Sequence, residues 1–415
     1  MHDAVVIGAG HNGLVAANVL ADAGWSVSVL EREDEPGGAV RSGELIEPGF
    51  VNDLCSAFYP LGAASPVFRA LDVEIPFRHG PLVLAHPALD GPCAVLERGA
   101  APDEWLRIEP AILRGLVTPF PQVRAAAGLA REPRAARLLR RPADPLEARL
   151  REGNALHSDA RPWGPAGRAF GLILTMLGRT HGFPCVAGGS GTIARVLADR
   201  AVARGVELRL GERVDRIPAA RRAVIVATDV WEFGRITGRR IRVEPDPATV
   251  KLDWTLDRPI PWSAEPARRS PVVHLGGPGD FVLFGQYSMV DPTRAPAGKE
   301  TAWAYSHVLR SAEAIEAQVE AHAPGFRALV RGRRVEHLPP GRINLGTAKL
   351  RNELVLRPFH GRPETGISGV YLGSASAHPG GGVHGAPGWI AAQAAVRSAS
   401  RRRARGLWSL TSSSR

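Results

Sequence analysis

Residues 3–41, DAVVIGAGHNGLVAANVLADAGWSVSVLEREDEPGGAVR, decide the fold of this chain. The run of residues 3–7, with two valines and an isoleucine, predicts a buried parallel strand. A glycine turn with the spacing GxGxxG follows it, Gly8-Ala9-Gly10-His11-Asn12-Gly13. A helical pattern then runs as far as Gly24, and a second strand over residues 26–30 leads to Glu31. Strand, glycine turn, helix and acid in this order predict a Rossmann-like unit that binds a dinucleotide.

Each position in this turn has a physical role. Gly8 allows the chain to turn tightly out of the strand, and Gly10 allows backbone N–H groups to approach a pyrophosphate. Gly13 allows the helix to pack against the strand. The helix N-terminus carries unpaired N–H groups and partial positive charge, which favour phosphate binding there. Glu31, about twenty residues further on, can accept hydrogen bonds from ribose hydroxyls.

The residues after Glu31 indicate which dinucleotide binds. Arg32 follows at once, and then Pro36-Gly37-Gly38-Ala39-Val40-Arg41. A nicotinamide site does not need this extension, whereas a second glycine pair and an arginine suit a cofactor whose diphosphate and flavin continue across the same loop. The segment resembles flavoproteins of the amine oxidase and phytoene desaturase superfamily, and GAGHNGLVAA is most similar to the phytoene dehydrogenase-related branch. The resemblance implies FAD, bound by Gly8, Ala9, Gly10, Asn12, Gly13, Glu31, Arg32, Gly37, Gly38 and Arg41.

Composition limits the function classes. The 415 residues are 44% hydrophobic and 22% charged, which is ordinary for a globular protein of about two domains. The net charge of +11 comes almost entirely from arginine, because lysine occurs only at Lys251, Lys299 and Lys349. No nucleic-acid-binding signature accompanies this charge, so we expect no nucleic-acid partner. There is no apolar run of about 18 residues, and the first strand begins at residue 3, so we expect a cytoplasmic protein.

Other redox, metal and hydrolytic chemistry has no sequence support. Cys55, Cys93 and Cys185 are far apart and form no CxxC pair, so a thiol–disulfide centre beside a flavin is not expected. HExxH, GxSxG and paired Cys/His spacings are absent from the sequence, and we therefore predict no metal.

A second glycine turn, Gly188-Gly189-Ser190-Gly191-Thr192-Ile193-Ala194, has two interpretations. Its GxGxxA spacing, with Glu212 beyond the next strand, leaves a separate NAD(P) site open. The family resemblance instead implies a helix that returns the chain to the flavin domain, followed by Val214 against the adenine. We favour the second interpretation, because Pro184 interrupts the strand candidate at residues 183–186. Only DRIPAARR separates Val214 from the strand at Ala223, where the family usually has a longer hairpin.

A glycine-rich segment near the C-terminus completes the predicted site. Residues 369–388 read as a strand, a turn containing HPGGGV, and the start of a helix expected over residues 389–398. In the family this turn closes over the flavin, which implies contacts from Gly373, Gly381, Gly382 and Val383. Ser374 stands where relatives often carry glycine, and for His378 and His384 we favour a structural role. We expect the basic tail from Arg401 to be disordered.

The remaining segments are expected to form the substrate domain. Residues 124–151 form a basic amphipathic stretch, either a membrane-surface or lid element or, as we favour, the solvated face of short helices. Residues 166–180 predict a buried helix that could line a substrate cavity. Aromatic residues on predicted strands could wall an apolar pocket but more often form core: Trp254, Trp262, Tyr287, Trp303 and Tyr305.

These patterns predict an α/β fold, a Rossmann-like FAD-binding domain with an inserted α+β substrate domain. The FAD-binding domain would comprise residues 1–70, 185–235 and 346–400, and the substrate domain residues 71–184 and 236–345. The expected function is an FAD-dependent oxidoreductase, desaturase- or dehydrogenase-like, that takes a hydride from a C–H bond of a lipophilic or secondary-metabolite substrate. Oxygen or a quinone would reoxidise the flavin, and peripheral membrane contact is part of this expectation. An amine oxidase-like or NAD(P)H-linked flavoenzyme, and a flavin-binding protein without turnover, remain the alternatives.

Overall fold

The fold is described from a computed structural model of the chain. It describes residues 1–118, 127, 135–158, 160–241, 243–341 and 358–412. Its strands, in chain order, are β1 (Ala4–Ile7), β2 (Val27–Leu30), β3 (Ser42–Gly43), β4 (Asn52–Asp53), β5 (Phe77–Arg78), β6 (Leu84–His86), β7 (Ala94–Leu96), β8 (Cys185–Val186), β9 (Glu207–Arg209), β10 (Ala223–Val226), β11 (Thr249–Leu256), β12 (Val272–Leu275), β13 (Val282–Gln286), β14 (Glu300–Ser306), β15 (Val330–Leu338) and β16 (Val370–Leu372). Its α-helices are α1 (His11–Asp22), α2 (Pro60–Ala63), α3 (Pro66–Ala70), α4 (Asp103–Val117), α5 (Ala135–Leu138), α6 (Pro145–Ala155), α7 (Pro165–His181), α8 (Gly191–Ala203), α9 (Val230–Thr237), α10 (Glu265–Arg268), α11 (Ala312–His322) and α12 (Ala386–Ser412).

A five-stranded parallel sheet carries the glycine turn. Its strand order is β16-β10-β1-β2-β9, with Val5 level with Val224 on one side and with Ser28 on the other. Alternate residues of β1 enter different cores: Ala4 and Val6 pack with α1, α8 and α12, whereas Ile7 packs with α9. Burial on both faces explains why β1 is an unbroken apolar run.

The second large sheet of the fold is mixed and has seven strands. Its order is β15-β11-β14-β13-β12-β6-β7, and its pairs are antiparallel except for β12 with β6. Helix α11 covers one face, where Trp254 and Phe284 lie in the core. Its strands come from residues 84–96 and 249–338, whereas those of the parallel sheet come from residues 4–30, 207–226 and 370–372. The chain therefore visits each sheet more than once, and the exact predicted domain boundaries stay predictions.

The C-terminal tail is helical in the structure, and part of the basic stretch lies outside the described residues. The helix expected over residues 389–398 runs from Ala386 to Ser412. The prediction that the tail from Arg401 is disordered is therefore wrong for residues 401–412. The arginine, alanine and leucine residues of this segment are good helix formers, and no proline ends the helix. Part of the basic stretch, residues 124–126 and 128–134, lies outside the described residues.

Arg149 and Arg151, in the described part of that stretch, contact the protein itself. Arg151 stacks on Trp105, 5.0 Å from the ring centre, and pairs with Glu147 at 3.1 Å. Arg149 donates to the carbonyl of Pro92 at 2.8 Å. These contacts favour ordinary surface helices, and the membrane-surface interpretation stays a prediction. No helix in the described ranges is long and apolar enough to cross a membrane.

Three histidines meet where α6 packs on the edge of the seven-stranded sheet. His157 and His274 approach each other through their Nε2 atoms at 2.8 Å, and His86 Nε2 donates to the carbonyl of Gly276 at 2.9 Å. Gly153 of α6 packs so closely that a Cβ there would lie 2.4 Å from His274 Nδ1. Burial lowers the pKa of His86 to about 4 and that of His157 to about 3. Burial, together with the neighbouring His157 and His86, lowers the pKa of His274 well below its ordinary value.

These histidines predict a loss of stability in acid. Between the lowered pKa values of the folded state and about 6.5, the unfolded chain binds more protons, so the free energy of unfolding falls as pH falls. Each histidine contributes up to about 1.4 kcal/mol per pH unit in that range. We expect His86→Gln, which cannot titrate, to flatten the dependence measured by urea unfolding between pH 7.5 and 5. Equal slopes for the parent and His86→Gln would contradict the prediction.

Candidate cofactor-binding site

The turn after β1 has the geometry that its glycines predict. Gly8 has φ of 98°, a conformation that favours glycine. A Cβ on Gly13 would lie 2.0 Å from the carbonyl oxygen of Gly8, so no larger residue fits between helix and turn. Beside Gly10 there is open space, because the nearest atom to a Cβ there would be Gly37 O at 4.0 Å. Helix α1 begins after Gly10 with no side-chain cap, and its first N–H groups have no intrahelical partner.

Glu31 is held at this turn by backbone donors. Its Oε2 accepts from the N–H of Ala9 at 2.6 Å, its Oε1 accepts from the N–H of Glu33 at 3.1 Å, and it is 6% exposed. The N–H of Glu212 donates to the backbone oxygen of Glu31 at 2.7 Å. Half-buried Val214 follows two residues later and packs against the apolar cluster that contains Ile7 and Phe233. Arg32 instead faces solvent, with its side chain 56% exposed and paired with Glu33.

The second glycine pair lies directly against the first turn. The N–H of Gly37 donates to the carbonyl of Ala9 at 2.9 Å, and a Cβ on Gly38 would contact Gly10 Cα at 3.4 Å. Arg41 Nε donates to the carbonyl of Gly38 at 2.9 Å, so the arginine closes this loop. The segment from Gly37 to Arg41 thus lies in the same candidate site as the first glycine turn.

The C-terminal glycine segment reaches the same place from the other end of the chain. A Cβ on Gly388 would lie 1.9 Å from the carbonyl oxygen of Asn12, and one on Gly373 would lie 2.9 Å from Ile225 Cγ2. Gly382 has φ of 120°, and Val383 has φ of 52°, a strained conformation for a β-branched residue. Strain of this kind clusters at functional sites.

His384 organises this turn in its neutral form. The N–H of Ala386 donates to Nδ1 at 3.1 Å, so Nε2 carries the proton and donates to the carbonyl of Gly381 at 3.1 Å. Ser65 Oγ donates to the backbone oxygen of His384 at 2.7 Å. His378 Nε2 lies 3.4 Å from the carbonyl of Gly115. These contacts support the structural role favoured for both histidines. Ser374 likewise serves the turn, because its Oγ accepts from the N–H of Ser376 at 3.3 Å.

The second glycine turn is filled by side chains of the chain itself. The N–H of Gly188 donates to Asp291 Oδ2 at 2.7 Å, and that of Ser190 donates to Asp53 Oδ1 at 2.7 Å. The N–H of Gly191 donates to Ser42 Oγ at 2.9 Å. A second dinucleotide would need these donors for its phosphates. The arrangement therefore favours a structural turn over a separate NAD(P) site.

Asp53 belongs to a buried charge network that sequence reasoning missed. Its Oδ2 accepts from Arg294 Nη1 at 2.8 Å, and both side chains are 0% exposed. Arg294 also donates to the carbonyl of Val186 at 2.9 Å, and Lys251 Nζ donates to the backbone oxygen of Asp53 at 3.2 Å. Lys251 also pairs with Asp253, whose pKa burial raises. The network joins the cofactor loop, the second glycine turn and the seven-stranded sheet, and no local motif announces it.

The predicted aromatic residues separate into two groups. Trp254 and Trp262 lie in the core beside α11. Trp303 stacks with Phe58 at 6.2 Å and with Tyr305 at 5.7 Å between ring centres, on the other face of the sheet. Among the described residues, several buried side chains carry polar atoms without a hydrogen-bond partner, including Asn12 Oδ1, both amide atoms of Asn52, Tyr287 Oη and Trp303 Nε1. Such atoms mark places where a bound molecule or water can supply the missing partner.

The Asp53–Arg294 pair predicts a large stability effect. Asp53→Asn removes the closer of the two carboxylates that pair with the buried Arg294 cation and leaves only Asp291, at 3.4 Å. The change should lower the free energy of unfolding by up to about 3–5 kcal/mol in urea titrations. Asp257→Asn, at a surface carboxylate that pairs with Lys299 and Arg331, should have a much smaller effect, because solvent screens exposed ion pairs. Adding Arg294→Met to Asp53→Asn should restore part of the loss, and a surface-sized effect of Asp53→Asn alone would refute the argument.

Comparison with known proteins supports the architecture. Residues 6–72 match the NAD(P)-binding Rossmann-like domain family. The chain is 25% identical to pyridine nucleotide-disulfide oxidoreductase domain-containing protein 2 of Rattus norvegicus, over 95% of this chain and 93% of that protein. An oxidoreductase from Methanosarcina mazei superposes with a TM-score of 0.61 at 15% identity, covering 95% and 99% of the two chains. Cyclohexylamine oxidase from Brevibacterium oxydans superposes with a TM-score of 0.57 at 17% identity, covering 96% and 98%.

The predicted fold class is confirmed by these comparisons. The narrower resemblance to phytoene desaturases and the individual cofactor contacts stay predictions. The chain has a Rossmann-like nucleotide-binding domain within a mixed α/β fold, and over nearly its whole length it resembles oxidoreductases.

Proposed function

We propose that the chain is an FAD-dependent oxidoreductase. The observation that carries this proposal is the contact between the two glycine segments, in which Gly388 abuts Asn12 although 376 positions separate them. A nicotinamide site would need only the first segment, whereas a cofactor that extends from Glu31 past the C-terminal turn would need both. The open space at Gly10 and the unpartnered buried Asn12 Oδ1 fit a bound cofactor at this place.

Each part of the site would hold a different part of FAD. The N-terminus of α1, with Gly8 to Gly13, would bind the diphosphate, supported by Gly37, Gly38 and Arg41. Glu31 would accept hydrogen bonds from the ribose, and Val214 would pack on the adenine. At the flavin end the set comprises Gly373, Gly381, Gly382 and Val383. Bound FAD would supply the hydride acceptor, and the protein would supply orientation and exclusion of water.

The substrate that we propose is lipophilic or a secondary metabolite, oxidised at a C–H bond in a desaturase- or dehydrogenase-like reaction. The Phe58–Trp303–Tyr305 aromatic cluster supports an apolar substrate, because β14, which carries Trp303 and Tyr305, contacts β4, and β4 pairs with β3 directly after Arg41. Oxygen or a quinone would then accept the electrons. An amine substrate, or flavin binding without turnover, would appear as a different outcome in the same flavin-reduction assays.

Cofactor binding is tested by reconstitution. We expect purified protein to bind one FAD per chain, detected by absorbance and by quenching of flavin fluorescence. Glu31→Gln should weaken FAD binding roughly 10–100-fold, because a charge-assisted hydrogen bond to the ribose is lost. Glu33→Gln, a change at a more exposed acid of the same loop, should bind FAD as the parent does. Protein that takes up no FAD would overturn the proposal.

The electron donor is tested with NADPH under anaerobic conditions. Because side chains fill the donors of the second glycine turn, we expect NADPH to leave the bound flavin oxidised over minutes, while dithionite reduces it. Rapid bleaching by NADPH would support the NAD(P)H-linked alternative instead.

A further inference from the structure

A second pocket lies apart from the candidate cofactor site. It has a volume of about 330 Å³ and lies between the segment that follows β11 and the loop that leads into β14. Its walls are mostly apolar and include Pro259, Ile260, Met289, Pro292 and Pro296. Leu256 pairs with Glu300 at this end of the β11–β14 ladder, whereas Lys251, which reaches Asp53, pairs with Tyr305 at the other end.

A buried carboxyl group borders this pocket. Glu300 is 4% exposed, and its Oε2 accepts from the N–H of Ile260 at 3.2 Å. A carboxylate can accept about four hydrogen bonds. Within the described ranges, no salt bridge and no second hydrogen bond to this group is present. The burial of Glu300 without a counter-charge raises its pKa to about 7.

The two cations at the rim are engaged elsewhere. Lys299 Nζ lies 3.1 Å from Asp257 Oδ1, and Arg268 Nε donates to the carbonyl of Trp262 at 2.7 Å. Neither forms a salt bridge with Glu300. The pocket thus combines apolar walls, one under-coordinated carboxyl group and a weakly cationic rim.

We propose that this pocket binds a small monoamine, a primary ammonium group on an apolar body. The ammonium group would donate to Glu300 and supply its missing positive charge, and the apolar body would cover Ile260, Met289 and Pro292. The volume is at the lower end of the range for small-molecule sites, which suits a ligand of this size. Lys299 and Arg268 disfavour a second positive charge at the mouth, so a diamine should bind less well.

The test is calorimetry on the full chain with n-hexylamine, beside hexanol, hexanoate and 1,6-diaminohexane. We expect saturable hexylamine binding at pH 8 and about tenfold weaker binding at pH 6, because protonated Glu300 no longer attracts the cation. Hexanol should bind weakly with no dependence on pH, and hexanoate and the diamine more weakly than hexylamine. The pH series uses the unaltered chain, so it tests the proposal even if a Glu300 variant does not fold.

Variants then assign the effect to Glu300. Glu300→Gln should weaken the binding of hexylamine at least about tenfold at pH 8 and abolish the pH dependence of binding. The matched control is Glu265→Gln, at an exposed acid of α10, which should bind as the parent does. Absence of saturation by about 10 mM, binding independent of pH, or equal binding by Glu300→Gln would each overturn the proposal. Because no arm requires flavin, its failure is distinguishable from failure of the proposed FAD site.

Discussion

The rest of the structure depends on the close approach of backbones around the first turn of α1. On one side Gly13 meets the carbonyl oxygen of Gly8, and on the other Gly388 meets that of Asn12, both at distances that exclude any Cβ. Interiors are packed without room for such an atom, so these glycines set how near strand, helix and C-terminal helix lie. The first turn of α1, whose N–H groups have no side-chain cap, therefore lies beside both Gly38 and the C-terminal segment at Gly388. These distant segments together form the candidate cofactor site.

A second constraint is electrostatic and joins the two sheets. Asp53 receives Arg294 from the loop before β14 and the N–H of Ser190 from the start of α8, all inside the protein. A buried charge without its partner is costly, whereas the satisfied network admits one arrangement of these loops. These polar contacts thus fix the positions of the loops relative to each other, which apolar packing alone would not do.

Features that depend on residues close together in the sequence were predicted correctly, whereas features that depend on distant residues were not. The turn at Gly8–Gly13, the loop at Gly37–Gly38 and the helix at residues 165–181 were predictable, because each depends on neighbours within a few residues. The end of α12 was not, since no proline follows residue 387 to mark where the helix ends. Nothing near Asp53 in the sequence points to Arg294, 241 positions away, and nothing near Gly153 points to His86 or His274.

The sequence by itself determined the strand, turn and helix that are typical of a dinucleotide-binding fold, and the acid that follows them. The reason is that glycine conformation, apolar periodicity and helix-terminal charge act over short distances along the chain. Only the tertiary structure decided that the second glycine turn is filled by Asp53 and Asp291, and that Glu300, beside an apolar pocket, has no ion-pair partner within the described ranges. Those outcomes depend on which distant side chains come into contact in the folded protein. Burial then determines how unfavourable the charged form of each group is.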